Sequence, residues 1–204
     1  ADLLNNASRG ARMIAIQAMM YETQDVVANR QWVQELGLSQ DSPLQERLEA
    51  LKGAVIGATS AGASSELLAR FLLREAGLPP EQAQIVPIGG LNVRQAALQR
   101  NQIQAYIASP PAGPQAAWEG FGYVLIPSHE LPGFSRKLHG ILSANTDWLR
   151  ENPAIATRVA TAFAKANNYV IEHPEESLEL LRPFFPNLID EVLRASFYNV
   201  QAQT

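Results

Sequence analysis

The amino-acid sequence predicts an α/β protein in which strands alternate with helices around a mostly parallel sheet. Short apolar runs, typical of buried strands, alternate with segments whose apolar residues recur at helical spacing. Turns rich in glycine, serine and threonine join several of these strands to the helices that follow. With 204 residues and 47% hydrophobic content, the chain is long enough for one large domain or two small lobes with a real core.

Composition argues against several classes of site. The chain contains no cysteine, so disulfides, thiolate metal sites and cysteine nucleophiles are excluded. The net charge of −4 comes from scattered charges without a basic stripe, which argues against a nucleic-acid partner. No apolar run approaches the roughly 20 residues that span a bilayer. His129, His139 and His173 lack the spacing of metal ligands, and we expect neither a metal nor a cofactor.

The N-terminal part of the chain predicts short helices and two strands. Residues 1–8 have the pattern of a helix that Gly10 closes. Ser42 has the features of an N-cap, with Pro43 at the first helical position and Gln45 three residues after the cap. The predicted elements are the helices 1–8, 32–36 and 43–52 and the strands 13–20 and 25–29.

Residues 54–77 predict a strand, a tight turn and a helix, and the turn is the first candidate site. A helix that begins here directs free N–H groups and the positive end of its dipole beyond the end of the strand. The pattern therefore predicts a seat for an anionic or strongly polar small ligand. An ordinary strand-to-helix turn is the alternative that these residues leave open. The candidate ligand-binding residues of this turn are Thr59, Ser60, Gly62, Ala63 and Ser64.

Two more turns follow strands and are expected to lie on the same rim. Strand 84–88 leads through a glycine turn into helix 93–100, and strand 103–108 stops at a proline-rich segment. Ligands of doubly wound sheets bind beyond the carboxyl ends of the strands, so all three turns should line one binding site. The candidates from these two turns are Gly89, Gly90, Asn92, Ser109 and Pro110.

Gly90 and two further residues have expected roles near this rim. Gly90 would permit either a positive φ or a close approach of the ligand. Arg94, just inside the following helix, is either a partner for an anion or a solvated helix residue. Tyr21, at the end of the first strand, is a further candidate for the cleft.

The C-terminal part is mainly helical after two further strands. Asn145 is the expected N-cap of a short helix, and Pro153 is the expected start of a long helix with one apolar stripe. Asn187 is the expected N-cap of the last helix. The other predicted elements are the helices 115–119, 174–182 and 188–198 and the strands 123–126 and 139–143.

Several short motifs follow one another along nearly the whole chain. They are Leu51-Lys52-Gly53-Ala54-Val55-Ile56-Gly57, Thr59-Ser60-Ala61-Gly62-Ala63-Ser64, Val86-Pro87-Ile88-Gly89-Gly90, Ala96-Ala97-Leu98-Gln99, Ile103-Gln104-Ala105, Ser109-Pro110-Pro111, Trp148-Leu149, Asn152-Pro153 and His173-Pro174-Glu175-Glu176. In order and spacing this series resembles the periplasmic solute-binding proteins of the nitrate, sulfonate and taurine ABC importers. The same superfamily contains binding proteins for thiamine-pyrimidine precursors.

The resemblance implies a type II periplasmic-binding fold with two lobes. Residues 1–29 would then be a remnant of the first lobe and a hinge crossing, residues 30–126 the second lobe, and residues 127–204 the hinge return with C-terminal helices of the first lobe. By this comparison we expect the chain to be truncated at its N-terminus, with a C-terminal truncation left open. Sheet edges that lack a partner would then favour self-association.

The resemblance also implies the function. The protein would capture a small anionic or polar solute, such as a sulfonate, nitrate or taurine, between its lobes and present it to a membrane permease. Its location would be periplasmic or extracellular, with attachment to a lipid or membrane left open. A ligand-sensing domain of a regulator and a biosynthetic enzyme of the same fold are the alternatives.

The chain departs from the family pattern at one motif and shows weak signals for catalysis. The family pattern Gly-x-Ile-Asp-Ala reads Asn101-Gln102-Ile103-Gln104-Ala105 here, and we interpret the missing carboxylate as a structural change. Neither a Gly-x-Ser-x-Gly elbow nor a Walker lysine is present. The cysteine-rich segment of the related thiamine-pyrimidine enzymes is absent as well. We therefore expect a binding protein and no catalytic residues.

Overall fold

The computed structural model describes residues 2–131 and 137–202, without the side chains of Asp2 and Asn5. The chain divides into two compact units, one formed by Ala1–Glu22 with Gly133–Thr204 and the other by Thr23–Pro132. The predicted segment 1–29 straddles this division, because residues 25–29 pair within the sheet of the second unit. The correspondence between these units and the lobes of a longer protein stays a prediction.

The helices and strands follow the predicted order. The helices are α1 Asp2–Ser8, α2 Arg30–Glu35, α3 Leu44–Glu49, α4 Ser64–Glu75, α5 Leu91–Gln99, α6 Ala112–Trp118, α7 Thr146–Glu151, α8 Pro153–Glu172, α9 Pro174–Leu181 and α10 Asp190–Gln201. The strands are β1 Met13–Tyr21, β2 Asp25–Asn29, β3 Val55–Ala58, β4 Gln84–Pro87, β5 Ala105–Ala108, β6 Gly122–Ile126 and β7 Leu138–Asn145. Short 3₁₀ turns are formed by Pro80–Gln82, Ser128–Glu130 and Arg182–Phe184.

The larger unit, Thr23–Pro132, is built on a five-stranded sheet in the order β4-β3-β5-β2-β6. β3 pairs in parallel with β4 and β5, whereas β2 pairs antiparallel with β5 and β6. Four strands therefore run in one direction, which confirms the predicted α/β class. β2 is the exception, because the chain enters this unit at the carboxyl edge, where Asp25 lies opposite Ala108.

The core of the larger unit lies on both faces of this sheet. Every residue of β2 and β5 is buried, as is typical of strands covered by helices on both sides. α4 packs its buried face, Leu68, Leu72 and Leu73, toward the core. The strand ends are thus held by a packed core, which fixes the positions of the turns that follow them.

Two predicted helix starts are confirmed and two are wrong. Asn145 caps α7, since its Oδ1 accepts from the N–H of Asp147 at 2.9 Å, and α8 begins at Pro153. Ser42 does not cap α3, because its Oγ accepts from the N–H of Ser39 at 3.0 Å and closes the preceding loop. α3 begins after Pro43 instead. The last helix begins at Asp190 after Ile189, so Asn187 lies outside it.

The smaller unit joins β1 and β7 into an antiparallel two-stranded sheet. α8 is tied to this sheet through Asn167, whose Nδ2 donates to the carbonyl of Met19 at 3.1 Å. A separate apolar cluster of Leu178, Leu193 and Phe197 joins α9 to α10. Within the described residues of this and the larger unit, none of the helices has the length and apolarity needed to cross a bilayer.

Candidate functional site

The predicted rim lies at the carboxyl ends of three neighbouring strands of the larger sheet. β3 lies between β4 and β5, so the segments that follow these strands are neighbours. The N–H of Gly89, after β4, donates to the carbonyl of Thr59, after β3, at 3.1 Å. The structure therefore brings the first and second predicted turns together at one edge of the sheet.

The first turn, residues 59–64, is closed by hydrogen bonds to the helix that follows it. The N–H of Thr59 donates to Ser65 Oγ at 3.0 Å, and the N–H of Gly62 donates to Glu66 Oε2 at 2.6 Å. The expectation that the N–H groups of this turn point freely at a ligand is wrong for these two residues, because the turn itself uses them. Ser65 was missed in the sequence, although a hydroxyl residue in the first turn of a helix is a common capping group.

Glu66 places a negative charge at the start of α4. Its carboxylate accepts from the N–H of Gly62 and from Arg70 Nη2, the latter at 2.7 Å. These two hydrogen bonds, that of Gly62 first, lower the pKa of Glu66 below its ordinary value of 4.5, so the group is ionised at neutral pH. An ionised carboxylate here compensates the helix dipole and disfavours a second anion. The turn also carries hydroxyls, including that of the exposed Ser60.

The second turn, Gly89 and Gly90, leads into α5 with a different arrangement. Gly89 has a φ of +98°, whereas Gly90 is extended with φ −65° and ψ 172° and forms the N-cap. Of the two alternatives for Gly90, the positive φ is wrong, because it belongs to Gly89. A Cβ added at Gly90 would meet nothing within 4 Å, so the space in front of this residue is open. No side chain caps α5 and no acidic residue occupies its first turn, so its N-terminus keeps its attraction for an anion.

Arg94 lies in the first turn of α5 and is buried, with 6% of its surface exposed. Its Nη1 donates to the carbonyl of Ile107 on β5, and its Cζ lies 5.8 Å from the ring centroid of Tyr106. Its Nε is buried and has no hydrogen-bond partner among the described residues. Burial lowers the pKa of Arg94 from its ordinary value. The alternative that Arg94 is a solvated helix residue is wrong.

The third predicted segment, Ser109 and Pro110, follows β5 and contacts the entry to β2. Thr23 Oγ1 donates to Ser109 Oγ at 3.1 Å, and Thr23 is almost completely buried. Pro110 is joined to Pro111 by a cis peptide bond. The sequence pattern did not indicate Thr23, because its closeness to Ser109 depends on the antiparallel pairing of β2 with β5.

The structure places the remaining candidates in different surroundings. Ala63 is the N-cap of α4 and Ser64 is its first residue. Asn92 is exposed in the first turn of α5. Tyr21 is the last residue of β1, opposite Leu138 in the smaller unit, so its participation in a site with the other candidates stays a prediction.

Metal-binding and histidine-based sites are not evident in the part of the chain that the structure describes. Within that part, no group of three or more His, Asp or Glu side chains is placed to hold a metal ion. His139 contacts the carboxylate of Glu22 in the smaller unit, and His173 packs its ring 4.6 Å from that of Tyr169. The polar groups of the rim therefore include hydroxyls, backbone groups, the carboxylate of Glu66 and the guanidinium of Arg94.

Solved structures of solute-binding proteins share this fold. The periplasmic aliphatic sulphonate binding protein SsuA from Escherichia coli superimposes with a TM-score of 0.73 at 20% identity, covering 98% of this chain and 62% of that chain. The alkanesulfonate-binding protein SsuA from Xanthomonas axonopodis pv. citri, bound to MOPS, gives a TM-score of 0.74 at 17% identity, covering 98% of this chain and 63% of that chain. The chain thus spans less than two thirds of the length of these proteins.

Other proteins of the same fold have different functions. The periplasmic nitrate-binding protein NrtA from Synechocystis PCC 6803 gives a TM-score of 0.69 at 17% identity, over 97% of this chain and 50% of that chain. The desulfurization enzyme DSZB gives a TM-score of 0.63 at 14% identity, covering 100% of this chain and 70% of that chain. The TM-scores establish a common periplasmic-binding-protein fold, and the low identities leave the ligand undetermined.

Membership of a family follows from the sequence comparison. No curated protein matches the chain. The family model of the NMT1-like family matches residues 3–181, which is most of the sequence and includes all three turns of the rim. The chain therefore belongs to the NMT1-like family.

Proposed function

We propose that this protein is the substrate-binding component of an ABC importer and captures a small anionic or polar solute, such as a sulfonate, nitrate or taurine. The observation that carries this proposal is the polar rim at the carboxyl ends of β3, β4 and β5, where two turns are hydrogen-bonded to each other. The proposed contacts are Thr59, Ser60, Gly62, Ala63, Ser64, Gly89, Gly90, Asn92, Ser109, Pro110 and Tyr21. The fold shared with sulfonate- and nitrate-binding proteins supports this function.

In the proposed function, ligand capture is coupled to closure of two lobes. A solute that contacts both lobes binds the closed state more tightly than the open state, and it shifts the population by that difference in affinity. Segments that connect the lobes absorb the rotation. We propose that the closed form is presented to a membrane permease on the periplasmic or extracellular side. We also propose that this chain, in isolation, associates with itself.

We propose binding and no catalysis at the rim, although one protein of this fold is a desulfurization enzyme. The hydroxyl of Ser65 donates to that of Thr59 at 3.3 Å, and Ser109 accepts from Thr23. Among the described residues, neither Thr59 nor Ser65 is hydrogen-bonded through its hydroxyl to a histidine or carboxylate that could act as a general base. Such hydroxyls suit the recognition of a polar ligand better than nucleophilic attack.

A thermal-shift screen of the purified chain tests the proposed function. The solutes would be alkanesulfonates, nitrate, taurine, aromatic carboxylates and pyrimidines, each compared with sodium chloride at equal ionic strength. Because a ligand at 100 times its dissociation constant stabilises the folded state by about 2.7 kcal/mol, we expect a raised melting temperature with at least one anionic or polar solute. Calorimetry would then measure its affinity. The absence of a shift with every solute would contradict the proposal.

A further inference from the structure

We propose that Arg94 is the counter-charge for the solute, and that the solute therefore carries an anionic oxygen head group such as a sulfonate, a carboxylate or nitrate. This inference rests on the proposed binding function and assigns the charge of the ligand at that site. It also assigns the position of the head group, at the start of α5 and not at the start of α4. The argument depends on the partners of Arg94, on its position and on the charge at the two helix starts.

Arg94 is a buried cation without a counter-ion in the described part of the chain. A guanidinium carries five N–H donors. Among the described residues, the guanidinium of Arg94 has one hydrogen-bond acceptor, the carbonyl of Ile107. Its Nε is buried without an acceptor, and none of the ion pairs among the described residues includes Arg94. Burying a charge is costly unless it is paired and hydrogen-bonded. A ligand anion at the rim would supply the counter-charge that the described residues lack.

Arg47, the other buried arginine of the larger unit, has the partners that Arg94 lacks. Its Nε donates to the carbonyl of Ser42 at 2.8 Å and its Nη1 to that of Leu125 at 2.9 Å. Its Nη2 forms an ion pair with Glu130. All three nitrogens of Arg47 are therefore bonded within the fold, as expected for an arginine with a structural role. The contrast indicates that the free donors of Arg94 are reserved for a ligand.

The position of Arg94 places its charge at the predicted rim. Its backbone N–H donates to the carbonyl of Gly90 at 3.2 Å, so the residue lies one turn inside α5. Its guanidinium reaches Ile107, the residue before the end of β5. The backbone of Arg94 thus lies one turn from Gly90, and its guanidinium lies against Ile107, two residues before Ser109. This is the edge where an anion would also meet the uncapped N-terminus of α5.

The two helix starts at the rim differ in charge, which decides where an anion binds. The start of α4 is occupied by the carboxylate of Glu66, which accepts from the N–H of Gly62 at 2.6 Å. The start of α5 has neither an acidic residue nor a side-chain cap. It has the open space in front of Gly90 as well. An anion would be repelled at α4 and attracted at α5, where Arg94 can form a charge-assisted hydrogen bond.

Calorimetry with a charged probe and its neutral analogue tests this inference. Ethanesulfonate and nitrate are the anionic probes, and ethyl methyl sulfone is the neutral analogue of similar shape. We expect the wild-type chain to bind an anionic probe and to reject the sulfone. Arg94→Met should weaken anion binding by at least tenfold, because a hydrogen bond to a charged group is lost. Arg94→Lys keeps the charge without the planar fork and should retain part of the affinity.

Arg100→Met is the matched control, because it removes the same charge from an exposed residue at the C-cap of the same helix. It should leave the affinity for ethanesulfonate and for nitrate unchanged. Chemical unfolding of each variant would separate binding from folding, and we expect Arg94→Met to remain folded, since it removes an uncompensated buried charge.

Three outcomes would overturn the inference in distinguishable ways. Equal binding of ethanesulfonate or nitrate by wild type and Arg94→Met would refute the role of Arg94 and leave the binding function intact. Binding of neutral solutes alone in the thermal-shift screen would refute the anionic ligand in the same way. The absence of any binding by the wild-type chain would refute this inference and the proposed function together.

Discussion

At the residue scale, Glu22 shows how a buried carboxylate is kept ionised. Its exposed fraction is 1%, and its two oxygens contact Lys137 Nζ and His139 Nδ1, each at 2.9 Å. Burial by itself raises the pKa of Glu22, but the hydrogen bonds and charges of His139 and Lys137 outweigh it and lower the pKa from 4.5 to about 2. The cluster therefore stabilises the smaller unit only while Glu22 is charged.

This lowered pKa predicts an acid-sensitive contribution to stability. A group whose pKa is lower in the folded state contributes its full stabilisation above about pH 4.5 and loses it as the pH falls toward about 2. The difference in free energy of unfolding between wild type and Glu22→Gln should be roughly 3 kcal/mol above this range and should shrink within it. Urea unfolding at a series of pH values measures this difference.

Glu75→Gln is the control for the Glu22 experiment, because Glu75 is exposed on α4. It should change the unfolding free energy little at any pH. A difference between wild type and Glu22→Gln that stays constant from pH 6 to pH 2 would show that the charge of Glu22 does not stabilise the fold.

Single residues also show what the sequence could and could not predict. Asn101 has a φ of 55° where the family pattern has glycine, and asparagine is among the residues that best tolerate this conformation. Gln104, in place of the family aspartate, accepts the N–H of Val55 at 2.8 Å. The interpretation of this departure as structural agrees with the φ of Asn101 and with the hydrogen bond of Gln104. The burial of Arg94 could not be predicted, because Tyr106 and Ile107 come from a different element.

At the element scale, the two glycines between β4 and α5 should respond differently to substitution. Gly89 has a positive φ, so Gly89→Val should destabilise the fold by about 1–2 kcal/mol. Gly90 has an extended conformation and open space around its α-carbon. Gly90→Val should therefore change the unfolding free energy by less than about 1 kcal/mol and weaken solute binding, because its side chain fills the space proposed for the ligand.

Urea unfolding and calorimetry on the same samples separate these two effects. Gly89→Val is the matched comparison, with the same substitution one residue earlier. If Gly90→Val bound the solute as tightly as wild type, the ligand would not approach this turn. If it lost stability and binding in equal measure, the residue would be structural.

The order of the elements was predictable, whereas their pairing and some of their ends were not. Strand, turn and helix follow from local patterns that lie within one stretch of sequence. The reversed direction of β2 depends on its partners β5 and β6, which come much later in the chain. The start of α3 was missed because the hydroxyl of Ser42 bonds the loop residue Ser39. The sequence pattern of a helix cap does not show whether its hydroxyl will bond the helix or the preceding loop.

At the scale of the whole molecule, the exposed apolar surface of the smaller unit predicts self-association. β1 and β7 form a sheet of two strands, and such sheets are only marginally stable without further partners. Of the twenty residues of α8, only Ala156 is buried. Phe163 lies on this helix with 42% of its surface exposed. We expect a concentration-dependent dimer or larger species, in which a second copy covers the apolar residues or pairs with a strand edge.

Phe163→Glu should shift this equilibrium toward the monomer, because it places a charge on the surface that the second copy would cover. Light scattering over a range of concentrations measures the change. Phe184→Glu is the comparison, since Phe184 is more exposed and lies in the 3₁₀ turn Arg182–Phe184. A wild-type chain that stays monomeric at all concentrations would rule out self-association.

The discontinuous composition of the smaller unit has a consequence for synthesis on the ribosome. β1 precedes the larger unit in the chain, whereas its partner β7 spans Leu138–Asn145, so β1 cannot pair with β7 until all of the intervening chain has emerged. The segment Thr23–Pro132 contains every strand of its own sheet and needs no later residue to complete it. Since domains generally fold as units during translation, the larger unit should be complete before β1 can pair with β7. The nascent chain would then carry a finished polar rim before the sheet of β1 and β7 has formed.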